Sequence, residues 1–187
     1  MATIGKEELE IYRIEKFNPV KQEKVTHGKF YVGDSYVIVK EGEKNYDIHY
    51  WHGKEATSDE MGSSAAFSVQ ISGVLPKMSR HHLEEMEYET DLFMSYFKGG
   101  LFYLPGGIES GWKKPEERVH EPKLLLVKGK RYPRVFEVPL EANSLNEGDS
   151  FILDLDTKLF IWNGAECSNH ERNKAKDMAN GIRADER

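Results

Sequence analysis

Alternating apolar and polar residues mark the first ordered elements of the chain. The segments "YVIVK" (36–40) and "YDIHYWHG" (46–53) are rich in β-branched and aromatic residues, and "EGEKNY" between them carries turn residues. This pattern predicts two strands joined as a hairpin. The following segment, "SDEMGSSAAFSVQISGVL" (58–75), changes to helical spacing, so we expect a long helix with Ser58 as its N-cap and an end at Pro76.

Further elements follow the same reasoning. The segment "ETDLFMSYFKGG" (89–100) predicts a second, shorter helix that ends at glycines, and "LFYLPGG" (101–107) predicts a short strand. The segments "LEIYRIEKFNPVK" (9–21) and "KLLLVKGKRYPRVFEVP" (123–139) each alternate into a strand. Strands and helices are thus mixed along the chain.

The triplet Gly-Asp-Ser occurs twice, at 33–35 and at 148–150, and the similarity extends beyond it. Trp51 corresponds to Trp162, and Glu60 corresponds to Glu171. The offset between the copies is four positions smaller at the tryptophan than at the triplet. We therefore expect a second hairpin that is shorter by four residues through a change in loop length, with "LDTK" as its turn and "EGEKNY" as the longer turn of the first hairpin. The spacing is too long for a solenoid repeat and predicts two tandem copies of one domain.

The alignment of the copies predicts the domain organisation. We expect a first domain at 1–112, a linker at 113–122 and a second domain at 123–187. The second copy has no counterpart of residues 77–112, so it lacks the shorter helix and the last strand. This is expected if the chain is a fragment of a longer protein; an incomplete second copy is the alternative.

The predicted long helix of the first copy has two apolar stripes. One stripe should face the core and contains Ser64, Phe67, Ile71 and Val74. The opposite stripe is small and apolar, where a surface helix is normally polar; it contains Gly62, Ala65, Ala66, Val69 and Gly73. This second stripe indicates a face that lies against a partner, or one that another part of the chain covers.

The corresponding helix of the second copy has one apolar stripe only. Its core positions are Ala175, Met178 and Ile182. Its outer positions are all polar, namely Asn173, Lys176, Asp177 and Asn180. We therefore expect this helix to face solvent.

Composition narrows the classes of function. The chain has 187 residues and a formal net charge of −6, and an acidic chain is poorly suited to non-specific nucleic-acid binding. No apolar stretch is long enough for a transmembrane segment, and the N-terminus "MATIGKEELE" has no apolar region typical of a signal peptide. Cys167 is the only cysteine, which favours a reducing, cytosolic compartment. No catalytic motif is present, and we interpret Cys167, three residues before His170, as structural.

The motifs as a set resemble the gelsolin family, which includes villin, severin and fragmin. The resemblance rests on "GDSYVIVK", "YDIHYWHGKEATSDEMGSSAAF", "FKGGLFYLPGGIESGW" and, in the second copy, "NEGDSFILDL" and "LFIWNGAECSNHERNKA". It implies an α+β fold of tandem gelsolin-like domains, each a central mixed β-sheet between a long and a short helix, with the second domain incomplete. It also implies a non-enzymatic, cytoskeletal protein that severs and caps actin filaments under calcium control, with the long helix at 58–75 inserted between actin subunits.

The resemblance also implies calcium sites that contain the Gly-Asp pairs. Calcium binds oxygen ligands, and the family pattern maps in the first copy to the Gly33 carbonyl, Asp34, Glu60 and the Ile108 carbonyl. In the second copy it maps to the Gly148 carbonyl, Asp149 and Glu171, without a fourth ligand, so we expect a weak or absent site. Spacing alone favours the interpretation of the aspartates as turn residues and of the glutamates as helix caps.

Three further expectations follow from the resemblance. A second calcium shared with actin would need a carboxylate where this chain has Ser72, so we expect that calcium to be weak or missing, with Lys77 as an electrostatic substitute. A phosphoinositide site maps to Lys128, Lys130, Arg131 and Arg134; ordinary strand-edge charge is the alternative. A module that sequesters actin monomers or acts as a scaffold, without severing, is the alternative function.

Overall fold

A computed structural model describes residue 5 and residues 8–108, 121–129, 132–155 and 158–185. The chain divides into two compact units. The first unit comprises Met1–Phe93 and Pro105–Trp112, and the second comprises Met94–Leu104 and Lys113–Arg187. Most of the predicted linker, 113–122, lies outside the described residues, so the predicted domain boundaries stay a prediction.

The first unit contains a mixed sheet. Its strands, in spatial order, are β2 (Asn18–Lys21), β1 (Leu9–Glu15), β4 (Ser35–Glu41), β5 (Tyr46–His52) and β6 (Ser79–Glu85), and a short strand β3 (Lys29–Tyr31) precedes β4. All neighbours in this order pair antiparallel except β5 and β6, which are parallel. Helix α1 (Ser58–Ser72) connects β5 to β6, as a parallel pair requires a crossover.

Helix α1 packs on one face of this sheet. The apolar core there contains Val37, Val39 and Ile48 from the sheet and Ile71 from α1, with Phe67 and Leu75 packed against it. Aromatic side chains fill the opposite face, where the Phe30 ring lies 4.8 Å from that of Tyr36 and 5.0 Å from that of Trp51. The short helix α2 (Asp91–Ser95) and the strand β7 (Leu101–Leu104) follow β6 in the chain.

The second unit also contains a mixed sheet. Its strands are β11 (Leu159–Asn163), β10 (Ser150–Asp154), β8 (Lys123–Lys128), β9 (Arg134–Val138) and β7 in spatial order. Only β7 and β9 pair in parallel. Helix α3 (Asn169–Asp185) packs on this sheet through Ala175, Met178 and Ala179, with Ile182 at the margin. The predicted α+β fold is confirmed.

The structure corrects three local predictions. The N-cap of α1 is Thr57, because its side chain accepts the Glu60 N–H. Val74 is 70 % exposed and lies outside the core, because α1 ends at Ser72. The second hairpin is four residues shorter than the first, as predicted, but the difference lies in the strands and not in the loop, because β10 and β11 have five residues each, whereas β4 and β5 have seven. None of the described helices has the length and apolarity needed to span a membrane.

Candidate functional site

The first Gly-Asp pair lies at the start of β4, against the segment that follows β7. The Gly33 N–H donates to the Gly106 carbonyl at 2.9 Å. A Cβ at Gly33 would lie 2.9 Å from that carbonyl oxygen, and a Cβ at Gly107 would lie 2.7 Å from Asp34 Oδ1. Both contacts are too short for a side chain, so glycine is required for this close approach.

Asp34 is fully buried and has two hydrogen-bond partners. The Ile108 N–H donates to Oδ1 at 2.9 Å, and Arg13 Nε on β1 donates to Oδ2 at 2.6 Å. The Arg13 guanidinium also lies over the Tyr31 ring, 4.2 Å from its centroid. Burial raises the pKa of Asp34, the Ile108 N–H and Arg13 oppose that rise, and the charge of Glu60 adds to it.

Glu60 caps α1 from inside the protein, with only 6 % of its surface exposed. Its Oε2 accepts hydrogen bonds from the Thr57 backbone N–H and from Thr57 Oγ1, both at 3.0 Å. The Glu60 N–H in turn bonds to Thr57 Oγ1, which completes a capping box. Within the described part of the chain no donor is found on Oε1.

The residues predicted as calcium ligands in the first copy lie in one region of the first unit. Gly33, Asp34 and Ile108 lie together, and Glu60 is near enough to raise the pKa of Asp34. Asp34 is paired with Arg13, and the buried hydroxyl of the next residue, Ser35, has no hydrogen-bond partner among the described residues. No cluster of three His, Cys, Asp or Glu that could hold a metal occurs among the described residues, so a calcium here would also need backbone carbonyls.

The second copy gives its carboxylates separate local partners. Asp149 Oδ2 accepts from Asn146 Nδ2 at 2.8 Å and lies 3.6 Å from Lys128 Nζ. Glu171 Oε2 accepts from the Ser168 N–H at 3.0 Å and from its hydroxyl at 2.9 Å, in a capping box like that of α1. Gly148 donates to Asn146 Oδ1 at 3.0 Å. The predicted metal ligands of this copy thus make the contacts of turn and cap residues, and their assignment as calcium ligands stays a prediction.

The outer stripe of α1 is exposed, as the helical spacing predicts. Val69 is 66 % exposed, Gly62, Ala66 and Gly73 are exposed, and Ala65 is half-buried. The buried stripe contains Glu60, Ser64, Ser68 and Ile71. In α3 the predicted outer residues are also exposed, but they are polar, namely Asn173, Lys176, Asp177 and Asn180. One helix therefore presents small apolar residues where the other presents polar ones.

Two further predictions concern Lys77, as a substitute for the calcium shared with actin, and a basic cluster, as a phosphoinositide site. Lys77 Nζ donates to Glu41 Oε1 at 2.7 Å and to the Gly42 carbonyl at 3.1 Å, while Ser72 ends α1. Lys128 and Arg134 end β8 and begin β9, and lie opposite each other in the ladder. Lys130 and Arg131 lie outside the described residues. The roles assigned to these residues stay predictions.

Two residues that the sequence reasoning did not select contact the site or its helix. Arg13 binds Asp34, and His52 on β5 contacts Ser64 on α1. The signal for Arg13 was a basic residue inside the apolar strand segment "LEIYRIE". No signal for the pairing of His52 existed in the spacing, because it depends on the placement of α1 over the sheet.

A family model described as "Gelsolin repeat" matches residues 16–94 and 132–187, which is more than half of the chain. The chain belongs to the gelsolin repeat family. The resemblance of the chain to the gelsolin family is thereby confirmed. Gelsolin-family proteins are non-enzymatic.

Three curated relatives illustrate the similarity. "Actin depolymerising venom protein gelsolin 1" of Platymeris rhadamanthus is 42% identical over 95% of this chain and 49% of its own length. "Villin-2" of Arabidopsis thaliana is 42% identical over 90% of the chain and 18% of its length, and "Gelsolin" of Gallus gallus is 41% identical over 98% and 24%. The chain thus spans about half or less of each relative.

Among solved structures, the chain is similar to one in the "Crystal Structure of the Thorarchaeota 2DGel3/rabbit actin complex". The sequence identity is 25%, and the match covers 95% of this chain and 86% of the other. The TM-score is 0.44.

Proposed function

We propose that this chain binds actin through the outer face of α1, and that it severs and caps filaments under calcium control. The observation that carries the proposal is the exposed stripe of Gly62, Ala66 and Val69 on a helix whose counterpart α3 is polar at the same positions. Small residues let a helix approach a partner closely, and exposed apolar area favours burial in a cleft. The relatives named for actin depolymerisation, villin and gelsolin support actin as the partner.

Severing follows from competition at the filament. A helix that inserts between two subunits replaces contacts that hold the filament together, and a chain that remains at the end blocks further addition. The second unit would bind along the filament and keep the first unit near its target, which raises its effective concentration. A cytoplasmic, cytoskeletal location belongs to this proposal.

Calcium control is assigned to the first copy. Asp34 and Glu60 would supply the carboxylate oxygens, and Gly33 and Ile108 the carbonyls. A bound calcium would supply positive charge between two buried carboxylates. Glu60 joins this site to the N-terminus of α1 through its capping box, so the charge state of the site affects how firmly the first turn of α1 is held.

The proposal is tested by imaging labelled actin filaments with the protein in calcium and then in a chelator. We expect rapid shortening in calcium only. Asp34→Asn should remove the calcium response, whereas the matched variant Asp149→Asn in the second copy should keep it. Circular dichroism of both variants controls for folding. Equal shortening in calcium and chelator would contradict calcium control and keep the actin assignment.

A second candidate function is a module that sequesters monomers without severing. Lys77 is hydrogen-bonded to Glu41, and Ser72 stands in place of a carboxylate. Both observations favour a lower affinity for actin. Unchanged filament length with monomer retained on the immobilised protein would select this function.

Phosphoinositide binding at Lys128, Lys130, Arg131 and Arg134 completes the proposal, and co-sedimentation with vesicles that contain phosphoinositides tests it.

A further inference from the structure

The buried stripe of α1 is mostly polar. Ser64 and Ser68 are almost completely buried, with 0 % and 2 % of their surface exposed, and they lie one helical turn apart. The buried stripe of α3 contains Ala175, Met178 and Ala179 instead. A buried hydroxyl needs a partner, so the two serines have to be satisfied by groups of the sheet or of the helix itself.

Each serine contacts a carbonyl of its own helix and a histidine of the sheet. Ser64 Oγ donates to the Met61 carbonyl at 2.8 Å and lies 3.0 Å from Nε2 of His52 on β5. Ser68 Oγ donates to the Ala65 carbonyl at 2.7 Å and lies 3.4 Å from Nδ1 of a histidine on β6, His81. Because a carbonyl oxygen can only accept, we assign each hydroxyl hydrogen to the helix carbonyl and the donor role to each histidine nitrogen.

The environment of His52 agrees with a neutral donor. Burial lowers the pKa of His52, and Glu85 opposes this shift. A neutral imidazole carries one N–H, and the contact with Ser64 assigns it to Nε2. The hydrogen bond is therefore formed near neutral pH.

The apolar contacts of α1 lie toward its C-terminal end. Phe67 and Ile71, together with Leu75 just after the helix, pack on the core of the first unit. Apolar packing is non-directional, so these contacts alone define the rotation of the helix about its axis only weakly. Hydrogen bonds are directional, and two of them one turn apart define both the rotation and the axial position of the helix.

We propose that His52 and His81 are positioning residues, which hold the rotation of α1 through Ser64 and Ser68 so that Gly62, Ala66 and Val69 face the partner. The consequence for actin rests on the proposed function. The claim that the histidines hold the rotation of α1 does not rest on the proposed function, because these contacts lie inside the first unit. His52 carries the greater part, since its contact with Ser64 is shorter and less exposed than that of His81 with Ser68.

The test replaces a polar pair by an apolar one. In the double variant His52→Leu with Ser64→Ala, no donor or acceptor is left unpaired, so the free energy of unfolding should change little. We expect actin to bind roughly two- to tenfold more weakly, the equivalent of one net hydrogen bond. The single variant His52→Gln keeps an N–H donor for Ser64 and should bind actin as tightly as wild type. Ser63→Ala removes a hydroxyl of α1 that bonds only to the Asp59 carbonyl, and it should have no effect.

A second readout does not involve actin. Amide hydrogen exchange of residues 61–68 should be faster in the double variant than in wild type and should return to the wild-type rate in His52→Gln. If wild type binds no actin, the proposed function fails while this exchange measurement still decides the positioning role. Two results would overturn the inference: unchanged exchange in the double variant, or weaker binding that His52→Gln does not restore and that parallels a loss of unfolding free energy.

Discussion

Helices α1 and α3 begin in the same way and then differ on both faces. Each starts with a capping box, formed by Thr57 and Glu60 in α1 and by Ser168 and Glu171 in α3. The buried stripe of α1 is anchored by serine–histidine hydrogen bonds, whereas that of α3 is apolar. The outer face of α1 is small and apolar, whereas that of α3 is polar.

From this difference we infer that the two copies of the repeat serve different purposes. An ordinary surface helix such as α3 gains its stability from an apolar inner face and leaves its outer face to solvent. Part of the inner face of helix α1 makes polar contacts that orient the helix. Its outer face contains apolar residues, which do not stabilise the free chain. Such an arrangement is expected when the outer face is buried by a partner.

The largest expected effect concerns the inner stripes. Ile71→Ala should lower the free energy of unfolding of the first unit by about 3 kcal/mol, because Ile71 is fully buried and leaves a cavity. Met178→Ala should cost the second unit about 2 kcal/mol, because neighbouring side chains of α3 share its burial. Amide hydrogen exchange followed separately in the two units measures both. A larger loss of unfolding free energy in Met178→Ala than in Ile71→Ala would contradict the view that α1 depends on few apolar contacts.

The capping boxes should give smaller and similar effects. Thr57→Ala and Ser168→Ala each remove an acceptor from the first turn of a helix, and each should cost about 1 kcal/mol. Thermal unfolding of the two variants tests this. In calcium, we expect only Thr57→Ala to weaken the calcium response, since only Glu60 lies beside a second buried carboxylate. An equal effect of both variants on the calcium response would break the distinction between the copies.

The smallest expected effect is a pH dependence confined to the first unit. Burial lowers the pKa of His52 below its ordinary value of 6.5, so its contribution to stability is complete above pH 6.5 and is lost as the pH falls below it. Because His52 is only half-buried, we expect the loss between pH 7 and pH 5.5 to stay below about 1 kcal/mol. The corresponding residue of the second unit is Asn163, which does not titrate. Urea unfolding at pH 7 and pH 5.5 should show a loss that His52→Gln removes; an unchanged loss in that variant would assign it to other groups.

Features set by local periodicity were predictable from the sequence. The spacing of apolar residues gave the strands β4 and β5, helix α1 with its exposed stripe, and the apolar stripe of α3. The repeated Gly-Asp pair gave the approach of Gly33 and Asp34 to Ile108, through a family resemblance and not through spacing. These features depend on residues that are close in sequence or that recur in a family pattern.

Features set by contacts between distant segments were not predictable. Thr57 and Ser58 are both good N-caps, and only the backbone geometry selects Thr57. The pairing of β7 with β9 joins residues far apart in the chain, and the contact of His52 with Ser64 depends on where α1 crosses the sheet. The equal loops of the two hairpins were missed because an offset in an alignment does not distinguish a shorter loop from shorter strands.

The most direct test of the account is the affinity for monomeric actin of a variant with Ala66→Asp and Val69→Asp. The matched control carries Asn173→Asp and Asn180→Asp on the outer face of α3. Both pairs are exposed, so neither should unfold the chain. We predict that binding falls at least about a hundredfold in the α1 variant, because two charges would be buried in the interface, and stays unchanged in the α3 variant. An α1 variant that binds actin as tightly as wild type would contradict the assignment of this face.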